Sequence, residues 1–182
     1  MDFAERMSLW VDAFAAVRLQ AAQQSVRSLA AAPARVAAPS APALFADVQR
    51  VRAALAHAIA REVTHDDVPR FAAYRQRHLE LQHQMELMVA PLRDHVRQAL
   101  VRGSPRLRQL VALDATFDEV LARRAQALLP ATAALVERRF GEMELPAFEQ
   151  HWRDVLLAEV ELRLQRITGL VEAVAAETSS AP

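Results

Sequence analysis

The segment PRFAAYRQRHLELQHQMELMVAPLRDHVRQALVR, residues 69–102, carries apolar, aromatic or histidine side chains every three to four residues. This spacing puts them on one face of a continuous helix roughly 50 Å long, and such a face packs lengthwise against other helices. The predicted contact face, called the seam below, consists of Phe71, Tyr74, His78, Leu81, Met85, Met88, Leu92, His95 and Ala99.

The composition favours helix in the rest of the chain as well. The chain has 182 residues, 53% of them hydrophobic, and three glycines. This is enough to bury one core and too little for two ordinary domains. We therefore predict an all-α protein of one domain, residues 1–182, built as an elongated bundle of four to five long helices with a central antiparallel helical hairpin.

Proline and glycine positions divide the predicted helices. Gly103, followed by Ser104 and Pro105 as N-cap and first helical residue, predicts the reversal of the central hairpin. We expect a first helix at residues 2–30, a Pro-rich linker at 31–43 and a helical bundle at 44–176. Within the bundle, helices are expected at about 44–63, 69–102, 105–140 and 146–176.

Charge and cysteine content exclude several classes of function. All 22 Lys-or-Arg positions are arginine, and with 22 acidic residues the formal net charge is zero, so no global field attracts nucleic acid or an anionic membrane. The absence of cysteine excludes disulfides, a thiolate nucleophile and a zinc site of the cysteine type. No signal peptide or run of 18 apolar residues is present, so we expect a cytoplasmic protein with no membrane insertion.

His78 and His95 are the polar members of the seam. They lie 17 residues, or about 25 Å, apart on one helix, too far to share a metal ion. We interpret them, with Asp114 opposite His95 in the hairpin, as polar residues that set the helix register. Glu-x-x-His occurs at 62–65 and 80–83, but without further inward-facing glutamates it does not predict a di-iron site. No metal and no cofactor are expected.

No pattern in the sequence indicates catalysis. The three glycines are scattered, so no phosphate-cradling loop is predicted, and no serine or threonine lies in a nucleophile motif. We expect no catalytic residues and no enzymatic activity.

A local excess of arginine is the clearest candidate binding feature. It comprises Arg93, Arg97, Arg102, Arg106 and Arg108, against Asp94 alone, and an acidic run follows at residues 142–161. The arginines suit a solvated hairpin tip near a helix C-terminus. Alternatively they bind an acidic partner or, less favourably because no aromatic residues interleave with them, nucleic-acid phosphate.

Several clusters in a fixed order resemble a known family. They are the segments Phe3–Asp12, Phe71–Arg75, Pro91–Arg97, Leu113–Ala115, Glu137–Phe140 and Trp152–Glu172. Their order is similar to that of a proteobacterial helical family of unknown biochemical function, which includes the ZorF component of type III Zorya anti-phage defence. Members of that family carry further chain before the first cluster, and their genes neighbour MotA/ExbB-like and OmpA/MotB-like motor subunits.

The resemblance implies a non-enzymatic accessory or effector subunit of a Zorya-like system. Its expected partners are a ZorA/ZorB-like proton-driven motor, which would recruit it to the inner membrane, and a ZorG-like companion. Contacts are expected through exposed apolar stretches of the first and last helices and through the charged tips. The alternative is a nucleic-acid-binding effector that uses the arginines between 93 and 108. Self-association is left open.

Overall fold

All regular structure in the described part of the chain is helical. The computed structural model describes residues 40–63 and 70–179, with side chains except at 119–133. Its helices are α1 (Ala41–Ala60), α2 (Phe71–Val101), α3 (Pro105–Glu142) and α4 (Leu145–Ser179), and these ranges contain no strand. The prediction of an all-α bundle is confirmed. The predicted helix at 2–30 and residues 31–39 of the linker lie outside the described residues.

Helix boundaries follow the proline and glycine positions except at the two ends of α1, which was predicted at about 44–63 and ends at Ala60. The predicted linker was to extend to residue 43, but α1 begins at Ala41. Pro42 occupies the first turn of this helix, where a backbone N–H has no helical acceptor and its loss costs little. Pro91 lies within α2 without ending it.

The described residues fall into two compact units. Residues 40–98 and 128–179 form one, here called the bundle unit, and residues 99–127 belong to the other, here called the turn unit. Helices α2 and α3 each contribute to both units. The sequence-based expectation of a single domain remains a prediction.

Helix directions in the bundle unit follow from contacts between side chains. From α2 to α4, Gln82 donates a hydrogen bond to Glu159 and Glu86 lies 3.1 Å from Arg163, so both helices advance together and run parallel. Helix α1 packs against α4. It runs antiparallel to α2, because Arg77 donates to the Ala58 carbonyl near the end of α1 whereas His95 contacts Asp47 near its beginning.

Most of the predicted apolar positions of α2 and α4 lie in the core of the bundle unit, although Val89 is buried where Met88 was predicted. Tyr74, Leu81 and Met85 of α2 are completely buried. The predicted inward residues of α4 are also buried: Phe148, Trp152, Leu156, Val160, Leu164, Ile167, Val171 and Val174. Each such side chain contributes about 1.5–3 kcal/mol on transfer from water, which makes this periodic burial the main source of stability.

An aromatic cluster closes one end of the bundle unit. The Tyr74 ring lies 5.0 Å from that of Phe148 and 5.5 Å from that of Trp152, both in edge-to-face geometry. Phe140, near the end of α3, lies 5.7 Å from Phe71 and 5.8 Å from Tyr74. The last turns of α3 are therefore adjacent to the beginning of α2, as an antiparallel hairpin requires.

Gly103 and Ser104 shape the reversal between α2 and α3. A Cβ atom on Gly103 would lie 2.7 Å from Leu107 Cδ1 and 3.2 Å from the Leu100 carbonyl oxygen, so the turn leaves little room for a side chain. The Ser104 hydroxyl accepts a hydrogen bond from the Leu107 N–H at 3.2 Å. The predicted N-cap of α3 is therefore confirmed.

None of the described helices is both long and apolar enough to cross a membrane.

Candidate partner-binding surface

The structure buries two of the three predicted register-setting residues. His78 is 4% exposed in the bundle unit, and Asp114 is buried in the turn unit. The placement of His95 on the buried seam was wrong, since its side chain is 59% exposed and its Nε2 atom lies 3.4 Å from Asp47 Oδ2. Val96, four residues after Leu92, is buried in its place. Burying valine at this position carries no polar desolvation cost, whereas burying histidine would.

His78 is a polar residue in an apolar setting. Neither ring nitrogen has a hydrogen-bond partner among the described residues. Burial lowers the pKa of His78 from its ordinary value of 6.5, and the Glu159 carboxylate opposes this shift more weakly. His78 is therefore neutral at pH 7. The described residues contain no group of three His, Cys, Asp or Glu side chains that could hold a metal ion.

Tyr74 forms a short hydrogen bond between two helices of the same core. Its hydroxyl donates a hydrogen bond of 2.6 Å to Glu149 Oε1, and Arg153 lies 3.6 Å from the other oxygen of that carboxylate. Burial, followed by the bond to Glu149, raises the pKa of Tyr74. The phenol therefore stays protonated over the physiological range and joins α2 to α4.

Three of the five clustered arginines are engaged within the chain. The Arg97 side chain is 17% exposed and lies 3.9 Å from Asp94. Arg93 is half-buried and also interacts with another group of the chain. Arg108 donates a hydrogen bond of 2.9 Å to the Gly103 carbonyl. These guanidinium groups support the ends of α2 and α3, which reduces the basic surface that the sequence predicted.

Arg102 and Arg106 differ from the other three arginines. Both side chains are exposed in the turn unit, and neither guanidinium has a partner among the described residues. Val101, beside them, is an exposed apolar residue. The α2–α3 turn therefore presents two exposed guanidinium groups and the exposed apolar side chain of Val101. We call Val101, Arg102 and Arg106 the basic turn.

The acidic run is largely neutralised inside the bundle unit. Glu142 lies 3.3 Å from Arg139, Glu159 lies 2.7 Å from Arg163, and Glu161 accepts a bidentate pair of hydrogen bonds from Arg52. Glu149 is held by Tyr74. A run of like charges in the sequence therefore does not form a free acidic tip here, because helical spacing distributes the side chains to different neighbours.

Large apolar side chains are exposed on three of the described helices, including Leu135 of α3 at 44%. Helix α4 exposes Leu157 and, at 70%, Leu162, while α2 exposes Leu79 at 56% and Leu87 at 61%. Exposure on the last helix was expected. The two leucines of α2 were not singled out from the sequence, although both are apolar residues that lie off the predicted seam.

A polar cavity of about 280 Å³ lies between the end of α1 and the beginning of α2. Its charged lining consists of Arg61, Glu62, Arg77 and Glu80, so positive and negative groups balance. Arg77 is already bound to Glu80 at 3.4 Å and to the Ala58 carbonyl. This lining contains no nucleophile next to a base and so suggests no reaction.

Comparison with known protein families shows what the chain is similar to. A family model described as "Protein of unknown function (DUF3348)" matches residues 1–146, which is most of the chain. No curated protein and no solved structure matches the chain. The chain therefore belongs to the DUF3348 family of proteins of unknown function.

Proposed function

We propose that this chain is a non-enzymatic accessory subunit of a Zorya-like anti-phage defence system and that it binds a partner protein through the basic turn. The partner is a subunit of the ZorA/ZorB-like motor or the ZorG-like companion, so that a cytoplasmic helical protein is recruited to the inner-membrane motor. The link to Zorya rests on the ordered sequence clusters. The choice of surface rests on the exposure of Arg102 and Arg106.

Arg106 carries this argument because folding does not explain it. It lies in the first turn of α3, which contains no acidic residue. A cation at a helix N-terminus opposes the helix dipole at a cost of about 0.3–1 kcal/mol. Arg102, near the C-terminus of α2, is favoured by the same effect. A carboxylate bound between the two guanidinium groups would remove the unfavourable contribution of Arg106.

The chemistry of the basic turn suits an acidic protein segment. Guanidinium groups form two parallel hydrogen bonds with a carboxylate, which gives both strength and orientation. Val101 adds apolar surface to the two charges. Nucleic-acid phosphate is the alternative ligand, but none of the aromatic residues that would stack on bases lies in the segment 93–108.

Co-purification from cells that express the chain with its neighbouring genes tests this proposal. We expect the native chain to retain a motor subunit or the companion, and the variant Arg102→Glu with Arg106→Glu to lose it. Arg61→Glu with Arg70→Glu is the matched control, because both of these arginines are exposed and neither guanidinium has a partner among the described residues. Equal retention by both double variants would exclude the basic turn as the interface.

The same purification separates the protein partner from nucleic acid. Recovery of nucleic acid alone, with affinity that falls steeply as salt concentration rises, would favour the alternative. The Arg102→Glu with Arg106→Glu variant should then lose affinity for all sequences alike, since phosphate contacts carry no sequence information.

A further inference from the structure

The exposed leucines of α2 lie in a nearly palindromic segment. Residues 79–87 read LELQHQMEL and are symmetric about His83, apart from the exchange of two buried apolar residues, Leu81 and Met85. Leu79, His83 and Leu87 follow one another at intervals of four residues, which places them on one face of the helix. All three are exposed, so this face is separate from the buried seam.

We propose that two copies of this chain pair through α2, antiparallel about a two-fold axis at His83. Residue i of one copy then faces residue 166−i of the other. Leu79 packs against Leu87 of the second copy about 6 Å from the axis along the helix, and the symmetric contact lies about 6 Å from the axis on its other side. An interface of this kind is isologous and closed, so it forms a dimer and not a filament.

The charges at the two ends of this face are complementary. Asp94 lies opposite Ala72 of the second copy, and Arg75 is one helical turn from Ala72 on the same helix. The Arg75 side chain is exposed and its guanidinium has no partner among the described residues, while Asp94 lies 3.9 Å from Arg97. An antiparallel pair therefore brings Arg75 of each copy near Asp94 of the other, which forms two symmetric ion pairs.

Glu80 and Glu86 also come to face each other in this register. Each carboxylate is already paired within its own chain, Glu80 with Arg77 at 3.4 Å and Glu86 with Arg163 at 3.1 Å. The interface therefore does not bring two unpaired negative charges together. The zero net charge of the chain further reduces repulsion between copies.

The small number of apolar contacts predicts a weak dimer. A stable dimer buries roughly 800 Å² on each partner, and two leucines per copy supply only part of that area. We expect a dissociation constant in the micromolar range. Sedimentation equilibrium from low to high micromolar concentration should then show a mass that rises from 20.2 kDa toward twice that value.

Substitutions on the exposed face provide the first test. Leu79→Glu with Leu87→Glu should abolish the rise in mass, whereas Leu162→Glu, an equally exposed leucine on α4, should not change it. Arg75→Asp and Asp94→Arg should each weaken the dimer about tenfold, and the two together should restore it. A native chain that stays monomeric at every concentration, or a double charge swap that fails to restore association, would overturn the proposal.

Disulfide crosslinking tests the antiparallel register. Because the chain contains no cysteine, every disulfide must form between introduced cysteines. His83→Cys should form a covalent dimer on mild oxidation, since this position meets its own copy at the axis. Leu79→Cys should not crosslink to itself, because the two residues are about 12 Å apart along the helices and a disulfide requires Cα atoms within about 7 Å. A mixture of Leu79→Cys and Leu87→Cys chains should crosslink.

The reverse crosslinking result would contradict this arrangement. A parallel pair would crosslink Leu79→Cys to itself and would leave the mixture without its mixed dimer. Pairing through another surface would leave all three cysteine variants unlinked while the native mass still doubled. Because the three positions are exposed, these variants retain the native core, which circular dichroism would verify.

Discussion

Replacing His78 by leucine should stabilise the protein, although it removes a residue from the core. His78 is 4% exposed, and neither ring nitrogen has a hydrogen-bond partner among the described residues. A buried polar group without a partner costs about 1–3 kcal/mol. Leucine has a similar volume and no polar atoms, so the variant should gain an amount within that range.

The gain should increase at acidic pH. Burial lowers the pKa of His78 in the folded chain, whereas in the unfolded chain it stays near 6.5. As pH falls below about 7, the unfolded state therefore binds a proton before the folded state does. The contribution of neutral His78 to the free energy of unfolding is fully present above the pKa of His78 in the unfolded chain. It is lost as pH falls towards the pKa of His78 in the folded chain, by at most about 1.4 kcal/mol per pH unit. The leucine variant lacks this loss.

Urea unfolding followed by circular dichroism at pH 7.0 and pH 5.5 would measure both effects. His57→Leu is the matched control, since His57 is an exposed histidine on α1 and its replacement should change the free energy of unfolding by less than about 1 kcal/mol. If His78→Leu destabilised the chain at pH 7.0, or if its effect were the same at both pH values, the assignment of His78 as a neutral residue without a hydrogen-bond partner would be wrong.

Three further experiments test the packing. Leu81→Ala should reduce the free energy of unfolding by about 2–5 kcal/mol because Leu81 is fully buried. Leu79→Ala, at an exposed position two residues away, should reduce it by less than about 0.5 kcal/mol. Chemical denaturation of both variants would compare them. Gly103→Ala should cost about 1–3 kcal/mol because the added methyl group would displace the buried Leu107 side chain and crowd the Leu100 carbonyl oxygen. Gly169→Ala, in an open position within α4, should instead raise the melting temperature through a gain of about 0.4–1 kcal/mol. Tyr74→Phe should lose about 1.5–3 kcal/mol with its charge-assisted hydrogen bond to α4, and a double-mutant cycle with the acceptor glutamate would isolate that energy.

Apolar periodicity made the helices and most of their buried faces predictable. Trp152, Leu156 and Val160 recur every four residues in α4, and burying them offsets the entropy lost when the chain becomes ordered. The limits of α2 and α3 followed equally well from Gly103 and the Ser104 cap, because these residues act on their own backbone. The start of α1 was placed too late, since Pro42 is compatible both with a linker and with the first turn of a helix.

The candidate binding surface was less predictable, because partners distant in sequence decide which charges remain available. Arg97 and Arg102 look alike in the sequence, yet the first is largely buried near Asp94 while the second is exposed. Glu161 belongs to an acidic run, but Arg52 of another helix binds it. Such pairings depend on how helices pack, which local sequence does not encode.

The helical class, the main helix boundaries and most of the apolar faces could be predicted from local sequence, because each depends on residues within a few turns of one another. Packing between helices selects Val96 and not His95 for the core, and it leaves only some of the arginines exposed. Both choices depend on neighbours contributed by other helices, since burial, hydrogen bonding and ion pairing are properties of the packed assembly.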